Sequence, residues 1–463
     1  MWRKKNLLLG VFITIAFLAA FMLPQVQSYY NLHDKQRVSV GEPLELFLRL
    51  PPSILKAIDV YVNDSEKILT MEGEELTQGK YVLGVTSPIG VKPGNVSLEL
   101  KLFGLIPLKI INIDVTPDIT LTPGGHSIGV LLRTDGVLVV GFSPVLDKNN
   151  ETHFPARDAD IRVGDIITNI NGINIINDDQ VKNIISKSSQ SNICLTIAVT
   201  RNGKKLRRVV QPQYCNDTKS YRIGLFVRDN AGGIGTLTFY DPISKKYGAL
   251  GHMITDTETN QKLNIRQGKI LYASIEDVKK GRTGEPGEKV GLFLENTEFG
   301  NIEKNDTCGI YGTSKKDIKN TFFEEPIPIL YSNQIKCGKA QILTVLEGEE
   351  VKKYDISIEK VLSNRIDGKN MIVRITDKRL LEITGGIIQG MSGSPILQNG
   401  KLAGAVTHVF INDPSRGYGV FIENMLLEAD VFTKNNKQAL EYYSQGLFIY
   451  PHSWTSLALY RFN

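Results

Sequence analysis

Short runs of alternating apolar and polar residues, separated by turn residues, dominate this chain and favour strands over helices. The sequence has 42 glycines and only 2 tryptophans among its 463 residues, and many of its apolar runs consist of valine and isoleucine. These two residues are typical of strands because their branched side chains pack well on a pleated surface. The sequence therefore predicts a mainly β chain of about two to four domains.

The first group of such runs lies in residues 38–117 and includes IDVYV and VSLELKLFG, with a Pro93-Gly94 turn between runs. Short strands at this spacing predict a small β-sandwich-like region over residues 29–117. None of its residues points to catalysis, so we expect it to act as a spacer or to contact other proteins.

The N-terminus differs from the rest of the chain. A basic MWRKK precedes an uncharged apolar run at residues 7–23, which ends at Pro24. This pattern is typical of a signal peptide or a signal-anchor whose basic flank stays in the cytoplasm. We expect residues 1–28 to be an uncleaved single-pass membrane anchor and the remainder to be exported, with removal of the segment as the alternative.

Charge and cysteine content restrict the partners. The net charge of +5 is small and the basic residues are dispersed, so no nucleic-acid surface is expected.

The cysteines Cys194, Cys215, Cys308 and Cys337 lack the spacing of a metal site, and no metal or cofactor is expected. Export permits disulfides, of which Cys194–Cys215 with Cys308–Cys337 is the simplest pairing. Four free thiols are the alternative.

Residues 118–214 carry a more specific pattern. The segment GVLVVGFSPV is followed by PARDADIRVGDIITNINGINI, by a helical NDDQVKNIISKSS, and by a closing hairpin. Asn171-Gly172 supplies a turn that tolerates positive φ. The block resembles a PDZ domain over nearly its whole length.

A PDZ domain binds an extended peptide along a sheet edge and receives the peptide carboxylate on loop N–H groups. The resemblance assigns the carboxylate to the glycine-rich loop that opens the block, and the facing helix presents Val181 with Ile184 or Ile185. The expected peptide-binding residues are Gly125, His126, Ser127, Ile128 and Gly129. A rigid packing module with an unused groove is the alternative.

A histidine and a serine stand in a suggestive order in the last large block, residues 215–430. His252 follows Ala249-Leu250-Gly251, and a small residue before a histidine at a strand end occurs in trypsin-like proteases. Ser392 lies far downstream, so the histidine comes first and the serine last, as in chymotrypsin-like enzymes. An isolated histidine in such a place is usually structural.

The serine loop strengthens that interpretation. The spacing G-x-S-G-x-P over Gly390, Ser392, Gly393 and Pro395 matches a trypsin-like nucleophile loop. In such a loop the N–H groups of Gly390 and Ser392 form an oxyanion hole. A plain hairpin turn is the alternative. Ser394 is expected to shape the loop, because as nucleophile it would place the side chain of Ser392 at the oxyanion-hole glycine.

The base also needs an acid that holds its tautomer. Two carboxylates qualify, Asp256 shortly after His252 and Asp377 shortly before the serine loop, and the residues alone do not choose between them. His408 is expected to be a strand histidine near the site.

Together with the PDZ-like block, the segments GIGTLTFYDP, YGALGHMITD and ITDKRLLEITGGIIQGMSGSPILQNGKLAGAV resemble the stage IV sporulation protein B peptidases, a serine peptidase family of endospore-forming bacteria. The resemblance covers residues 113–427. It implies a trypsin-like double β-barrel in residues 215–430, with His252 as base, Asp377 as orienting acid and Ser392 as nucleophile. Family resemblance, and not spacing, favours Asp377 over Asp256.

The resemblance further implies a sporulation-signalling serine endopeptidase located between the forespore and mother-cell membranes. Members of this family can cleave themselves. They also cut a regulatory subunit of a membrane-embedded protease complex of the mother cell, which leads to activation of a late sigma factor. Residues 431–463 match no motif of the family and read as a C-terminal extension. The alternatives are a catalytically silent PDZ adaptor and an exported protease that remodels the spore or envelope with broader targets.

Overall fold

The structure is a computed structural model, and it describes residues 34–431 apart from 47–49, 65, 77, 83–86, 190–193, 202, 256–261, 263–264 and 364. The predicted anchor, residues 1–28, and the predicted extension beyond Val431 lie outside the described residues. Within the described part of the chain, no helix has both the length and the apolar character needed to cross a bilayer.

The described chain forms two compact units. The first comprises residues up to Thr120 together with Pro328–Ile335, and the second comprises the rest. The elements of the first unit are β1 (Lys35–Ser39), α1 (Pro52–Leu55), β2 (Ile58–Asn63), β3 (Leu69–Met71), β4 (Glu74–Glu75), β5 (Gln78–Val82), β6 (Ile89–Gly90), β7 (Gly94–Leu102) and β8 (Ile106–Thr116).

The first unit has two sheets around one apolar core. Strands run in the order β1-β8-β7-β2-β5 in the larger sheet and β4-β3-β6 in the smaller one. Alternate residues of β2, β7 and β8 point inward, as in Ile58 and Val60 or Leu98 and Leu100, and Leu69 joins the core from the smaller sheet. The predicted sandwich-like region is present because the period-two pattern gives each strand one apolar face.

The second unit begins with the PDZ-like block. Its elements are β9 (Thr120–Pro123), β10 (Ser127–Phe142), β11 (Val145–Leu146), β12 (Thr152–His153), α2 (Pro155–Asp158), β13 (Ile166–Ile170), β14 (Ile173–Asn174), α3 (Asp178–Ser189), β15 (Leu195–Arg201), β16 (Lys204–Val210), β17 (Gln213–Cys215) and β18 (Ser220–Arg222). Val139, Ile167, Val181 and Ile197 belong to its core. Asn171 and Gly172 form the predicted turn with φ of 51° and 85°.

The next elements continue the same sheet. They are β19 (Leu225–Tyr240), β20 (Lys246–Ala249), β21 (Ile265–Lys279), β22 (Glu288–Asn301), β23 (Lys304–Asp306), β24 (Gly309–Thr313) and β25 (Ile327–Pro328). The main strand order of this 13-stranded sheet is β16-β15-β13-β10-β19-β20-β24-β23. Two long strands, β10 and β19, pair with each other along the PDZ-like part and also along the part that leads to His252.

A closed barrel completes the unit, with strand order β26-β27-β28-β31-β30-β29. Its elements, with the two helices attached to them, are β26 (Gly338–Val345), β27 (Val351–Val361), β28 (Met371–Ile375), α4 (Lys378–Thr384), β29 (Pro395–Gln398), β30 (Lys401–Phe410), β31 (Asp413–Phe421) and α5 (Ile422–Glu428). The mainly β fold with PDZ domain and barrel is confirmed. Within the described residues, the half of the catalytic block that carries His252 is part of the 13-stranded sheet, and the half that carries Ser392 is the closed barrel.

All four cysteines are free thiols in the structure, Cys215 and Cys308 buried and Cys194 and Cys337 exposed. The alternative without disulfides is therefore the one that the structure has.

Candidate active site

The serine loop connects α4 to β29 and is bound along its length by strand β19. The hydroxyl of Thr236 donates to the carbonyl of Gly390 at 2.7 Å, and the hydroxyl of Thr238 donates to that of Gly393 at 2.8 Å. The N–H of Thr236 also donates to the carbonyl of Ser392 at 3.0 Å. The loop therefore has a fixed backbone course, held by the half of the molecule that carries His252.

Two glycines let the loop follow this course. Gly390 and Gly393 have φ of 90° and 93°, a region in which other residues are strained. A Cβ on Gly393 would lie 2.0 Å from the carbonyl oxygen of Thr236 and 2.5 Å from the nitrogen of Leu250. Since Leu250 is two residues before His252, the missing side chain at Gly393 brings the base segment directly against the nucleophile loop.

The hydroxyl of Ser392 donates to the carbonyl of Thr407 in β30 at 2.7 Å. Ser394, by contrast, is fully buried, and its hydroxyl has no partner in the described part of the chain. Only Ser392 of these two serines lines the neighbouring cavity. The structure therefore places Ser392, and not Ser394, at the cavity.

His252 follows β20 after Leu250 and Gly251, both with positive φ. Its Nδ1 lies 2.8 Å from the carbonyl of Met253. A carbonyl only accepts, so Nδ1 carries the proton and Nε2 keeps the lone pair that a general base needs. Burial lowers the pKa of His252 below its usual value, which keeps the ring neutral near pH 7.

A second histidine stands beside the first. The ring centroids of His252 and His408 are 4.8 Å apart, with an angle of 40° between the planes. Burial, and to a smaller extent the His252 ring, lowers the pKa of His408 to about 4. Two neutral imidazoles can stack at this distance without charge repulsion, so His408 forms one wall of the base site.

His252 and Ser392 line one cavity of about 1110 Å³, together with Gly390, Thr407 and His408. Gly251, next to the base, would place a Cβ 2.9 Å from the side chain of Thr407, whose carbonyl holds the Ser392 hydroxyl. The structure thus brings the two predicted catalytic residues to the same cavity from different halves of the catalytic block. No direct hydrogen bond joins them.

The two residues predicted to form the oxyanion hole line the same cavity. Among the described residues, no acceptor takes the backbone N–H of Gly390 or of Ser392, and both residues line the cavity. Unpaired backbone donors at a cavity wall are suited to stabilise the oxygen of a tetrahedral intermediate.

Asp377 is placed differently from the prediction. It is the N-cap of α4: its carboxylate accepts from the N–H of Arg379 at 2.9 Å, from the Arg379 guanidinium at 2.7 Å and from the N–H of Asp355 at 3.3 Å. The guanidinium lowers the pKa of Asp377 to about 2. Asp377 does not line the cavity, so the structure does not bring it to His252, whose Nδ1 is held by the Met253 carbonyl instead. Asp256 lies outside the described residues.

The glycine-rich loop assigned to the PDZ groove also needs a correction. Gly125 lies against Leu343 and Val351 of the barrel, and Ile128 is buried in the core around β19, β20 and β21. The groove helix α3 packs instead against β18 and β19. Residues Gly125, His126, Ser127, Ile128 and Gly129 are therefore part of the catalytic half, and the strands beside the groove helix are β18 and β19. The sequence pattern led to the wrong assignment of this loop because β10 is one long strand, whose first half pairs with β21.

Two residues near the site were missed by sequence reasoning. Asp367 lines the cavity, but in the sequence it reads as an ordinary Asp-Gly turn. Lys289 is buried behind the serine loop, and in the sequence it reads as a solvated lysine at a strand end. No local pattern distinguishes either residue, because their surroundings come from distant strands.

In the described part of the chain, one group of side chains could hold a metal ion: Asp147, Glu151 and His153, in the PDZ-like block. One Asp147 oxygen already accepts the N–H groups of Asn149 and Glu151, and none of the three group members lines the cavity. The group has no part in the site described above.

Comparison with known proteins agrees with this division of the chain. Residues 219–426 match the family model of the SpoIVB peptidase S55, and residues 151–199 match that of the PDZ domain. No curated protein matches the chain.

Two solved structures are similar to parts of it. The PDZ domain of an SdrC-like protein from Listeria monocytogenes is 23% identical, with 20% of this chain and 90% of that chain covered and a TM-score of 0.17. The Rv3671c protease from M. tuberculosis, in its active form, is 13% identical, with 43% and 74% covered and a TM-score of 0.27. Both TM-scores are low, so the assignment of the catalytic block depends on the family match.

Proposed function

We propose that this chain is a sporulation-signalling endopeptidase. The premise is that it belongs, through residues 219–426, to the SpoIVB peptidase S55 family and is a serine peptidase. Its substrates are extended peptide segments, including one of its own and one in a regulatory subunit of a membrane-embedded protease. The observation that carries the catalytic part is the shared cavity of His252 and Ser392.

The reaction starts when the Ser392 hydroxyl turns from the Thr407 carbonyl toward Nε2 of His252. The imidazole takes the hydroxyl proton while Oγ bonds to the scissile carbonyl carbon, whose π electrons move to oxygen. That oxygen is held by the N–H groups of Gly390 and Ser392. The imidazolium then protonates the amine, the C–N bond breaks, and water releases the acyl group by the same route.

The Met253 carbonyl takes over part of the orienting role usually given to an acid. It fixes the Nδ1–H tautomer at 2.8 Å, although a neutral carbonyl stabilises the imidazolium less than a carboxylate does. Among the described residues, Asp367 is the carboxylate that lines the cavity; it is paired with Arg365, and its charge acts on His408. Asp377 acts on the loop through α4, which it caps.

The biological part of the proposal is supported by the family and by the N-terminal sequence. The matching family is named for a sporulation protein, and the apolar run at residues 7–23 is suited to anchoring an exported chain. The chain would then act between forespore and mother cell on a membrane-embedded protease complex, with the PDZ-type groove beside α3 and the start of β19 selecting the segment to be cut.

The experiment compares the full chain with two variants, Ser392→Ala and the neighbouring Ser394→Ala as matched control. Each is treated with a fluorophosphonate probe and then analysed by mass spectrometry for self-cleavage. The expected result is labelling and fragments for the wild type and for Ser394→Ala, and neither for Ser392→Ala.

A wild type that is folded, stays full-length and is not labelled would overturn the peptidase mechanism and favour a silent adaptor. Labelling without self-cleavage, combined with cleavage of many unrelated proteins, would favour an envelope-remodelling protease.

A further inference from the structure

Strand β22 breaks the rule that apolar residues point inward. Lys289 is only 5% exposed, whereas its neighbour Val290 is 37% exposed and Leu292 is 64% exposed. A register shift of one residue would exchange these faces and bury the two apolar side chains instead. A fold that buries a lysine and exposes a valine and a leucine is sacrificing stability at this strand, which is typical of a functional position.

The ammonium group of Lys289 is matched to three hydroxyl groups. Its Nζ lies 2.8 Å from Oγ1 of Thr344, 3.4 Å from Oγ of Ser127 and 3.5 Å from Oγ1 of Thr236. An ammonium has three N–H donors and no acceptor, so each donor has one partner. In the described part of the chain no carboxylate pairs with it, and burial lowers the pKa of Lys289 to about 7.

The same residue contacts the serine loop through three routes. Its backbone N–H donates to the carbonyl of Gln389 at 3.0 Å. Its side-chain carbons lie 3.0–3.1 Å from the position that a Cβ on Gly390 would take. Its Nζ reaches the hydroxyl of Thr236, which in turn donates to the carbonyl of Gly390 at 2.7 Å.

These contacts fix the direction of the oxyanion-hole donor. In a planar trans peptide the C=O and the N–H point in opposite directions. Because the Gln389 carbonyl is held by Lys289, the N–H of Gly390 in the same peptide must point away from it. The Gly390 carbonyl is held on the next peptide by Thr236, so both peptide planes around Gly390 are set.

We infer that Lys289 is a positioning residue whose ammonium group, through Thr236, holds the Gly390 carbonyl and with it the oxyanion-binding orientation of the loop. The inference rests on the proposed function, since it assigns a task within the same catalytic site. Thr344 and Ser127 hold the ammonium group from β26 and β10, so the loop geometry depends on barrel and sheet together.

The test measures how fast a fluorophosphonate probe labels Ser392 in the full chain at several probe concentrations, which separates the probe affinity KI from the maximal labelling rate kinact. Lys289→Met keeps the length of the side chain and removes its donors. Lys280→Met is the control, because Lys280 is an exposed lysine whose ammonium donates to the carbonyl of Glu382.

For Lys289→Met we expect kinact to fall by about tenfold or more, as loss of oxyanion stabilisation slows bond formation, while KI stays the same. We expect an unchanged or higher Tm, since a buried charge is removed. Lys280→Met should match the wild type. A kinact within about twofold of the wild type in folded Lys289→Met, or a change in KI alone, would overturn the inference.

If Lys289→Met does not fold, the double variant Thr344→Val with Ser127→Ala decides, because it removes the two partners that hold the ammonium beside Thr236 and leaves the serine loop unchanged. A several-fold lower kinact supports the inference, and a wild-type kinact overturns it. A wild type that is not labelled at all would instead refute the proposed function and, with it, this inference.

Discussion

At the residue scale, the site depends on which atom holds each polar group. Ser392 donates to a carbonyl of β30, and His252 donates from Nδ1 to the carbonyl of the next residue. Both partners are backbone atoms, which are present whatever the neighbouring side chains are. The positions of the Ser392 hydroxyl and the His252 ring therefore depend on hydrogen bonds to backbone carbonyls.

The pH dependence of labelling follows from His252. Only the neutral ring can take the serine proton, so labelling fails as pH falls through the pKa of His252. Because burial lowers this pKa from 6.5, we expect the half-maximal labelling rate at a pH below 6.5. The measurement is the labelling rate of Ser392 as a function of pH, with His153→Asn as control, which should leave the midpoint in place because His153 does not line the cavity. A midpoint at or above 6.5 would contradict the assignment.

Two substitutions of Asp377 distinguish a helix-capping role from a role in orienting His252. Asparagine caps a helix about as well as aspartate, whereas alanine costs roughly 0.5–2 kcal/mol. If Asp377 is a cap, Asp377→Asn keeps most of the labelling rate, and Asp377→Ala lowers both Tm and rate. Thermal unfolding and labelling of both variants provide the comparison. A loss of labelling of about a hundredfold or more in Asp377→Asn with unchanged Tm would show that Asp377 orients the histidine after all.

At the scale of elements, the serine loop is held by hydrogen bonds to strand β19, which belongs to the other half of the catalytic block. Hydrogen bonds from Thr236 and Thr238 of β19 reach the carbonyls of Gly390 and Gly393, and β22 adds Lys289. The loop has no regular structure of its own, so its shape is imposed by these contacts. Its two positive-φ glycines permit that shape.

Substitution of one glycine tests the loop shape. Gly390→Ala would be strained at φ of 90° and would press on Lys289, whereas Gly400→Ala has similar strain at φ of 77° but nothing within 4 Å. We expect both to lose roughly 1–2 kcal/mol of stability. Only Gly390→Ala should label more slowly, by about a hundredfold, because its N–H is displaced. Equal labelling rates of the two variants, measured beside their Tm values, would argue against the oxyanion role.

At the scale of the whole molecule, the PDZ domain and the catalytic block are built on common strands. Val137 and Leu138 of β10 pair with β13 of the PDZ part, and Ile128–Leu132 of the same strand pair with β21. Strand β19 likewise begins beside the groove helix and ends at the serine loop. Because the two parts share these strands, unfolding of one part also breaks strand pairs of the other.

We therefore expect the two parts to unfold in one transition. Val139→Ala removes buried carbon atoms from the PDZ core and should cost roughly 2 kcal/mol. Val209→Ala, at a side chain that is 63% exposed, is the matched control. The midpoint of thermal unfolding and the temperature at which labelling is lost should fall together in Val139→Ala. A catalytic block that keeps its wild-type midpoint would show that the two parts are independent.

The sequence by itself determined the features that local chemistry decides. Alternating runs predicted the strands, Asn171-Gly172 predicted a turn, and the spacing around Ser392 predicted a loop, in which the structure gives Gly390 and Gly393 positive φ. These signals are readable because the backbone conformation of a turn depends on the few residues that form it. The family resemblance, together with the order of His252 and Ser392, predicted His252 as the base, and the structure places it at the same cavity as Ser392.

Tertiary structure alone decided which partners those residues have. It joined Asp377 to Arg379 and to the N-terminus of a helix, moved the glycine loop of residues 125–129 from the groove to the catalytic half, and placed Lys289 behind the loop. The physical reason is register: which side chain of a long strand faces inward depends on pairing with strands far away in the sequence. Such pairing leaves no mark on the few residues around the side chain itself.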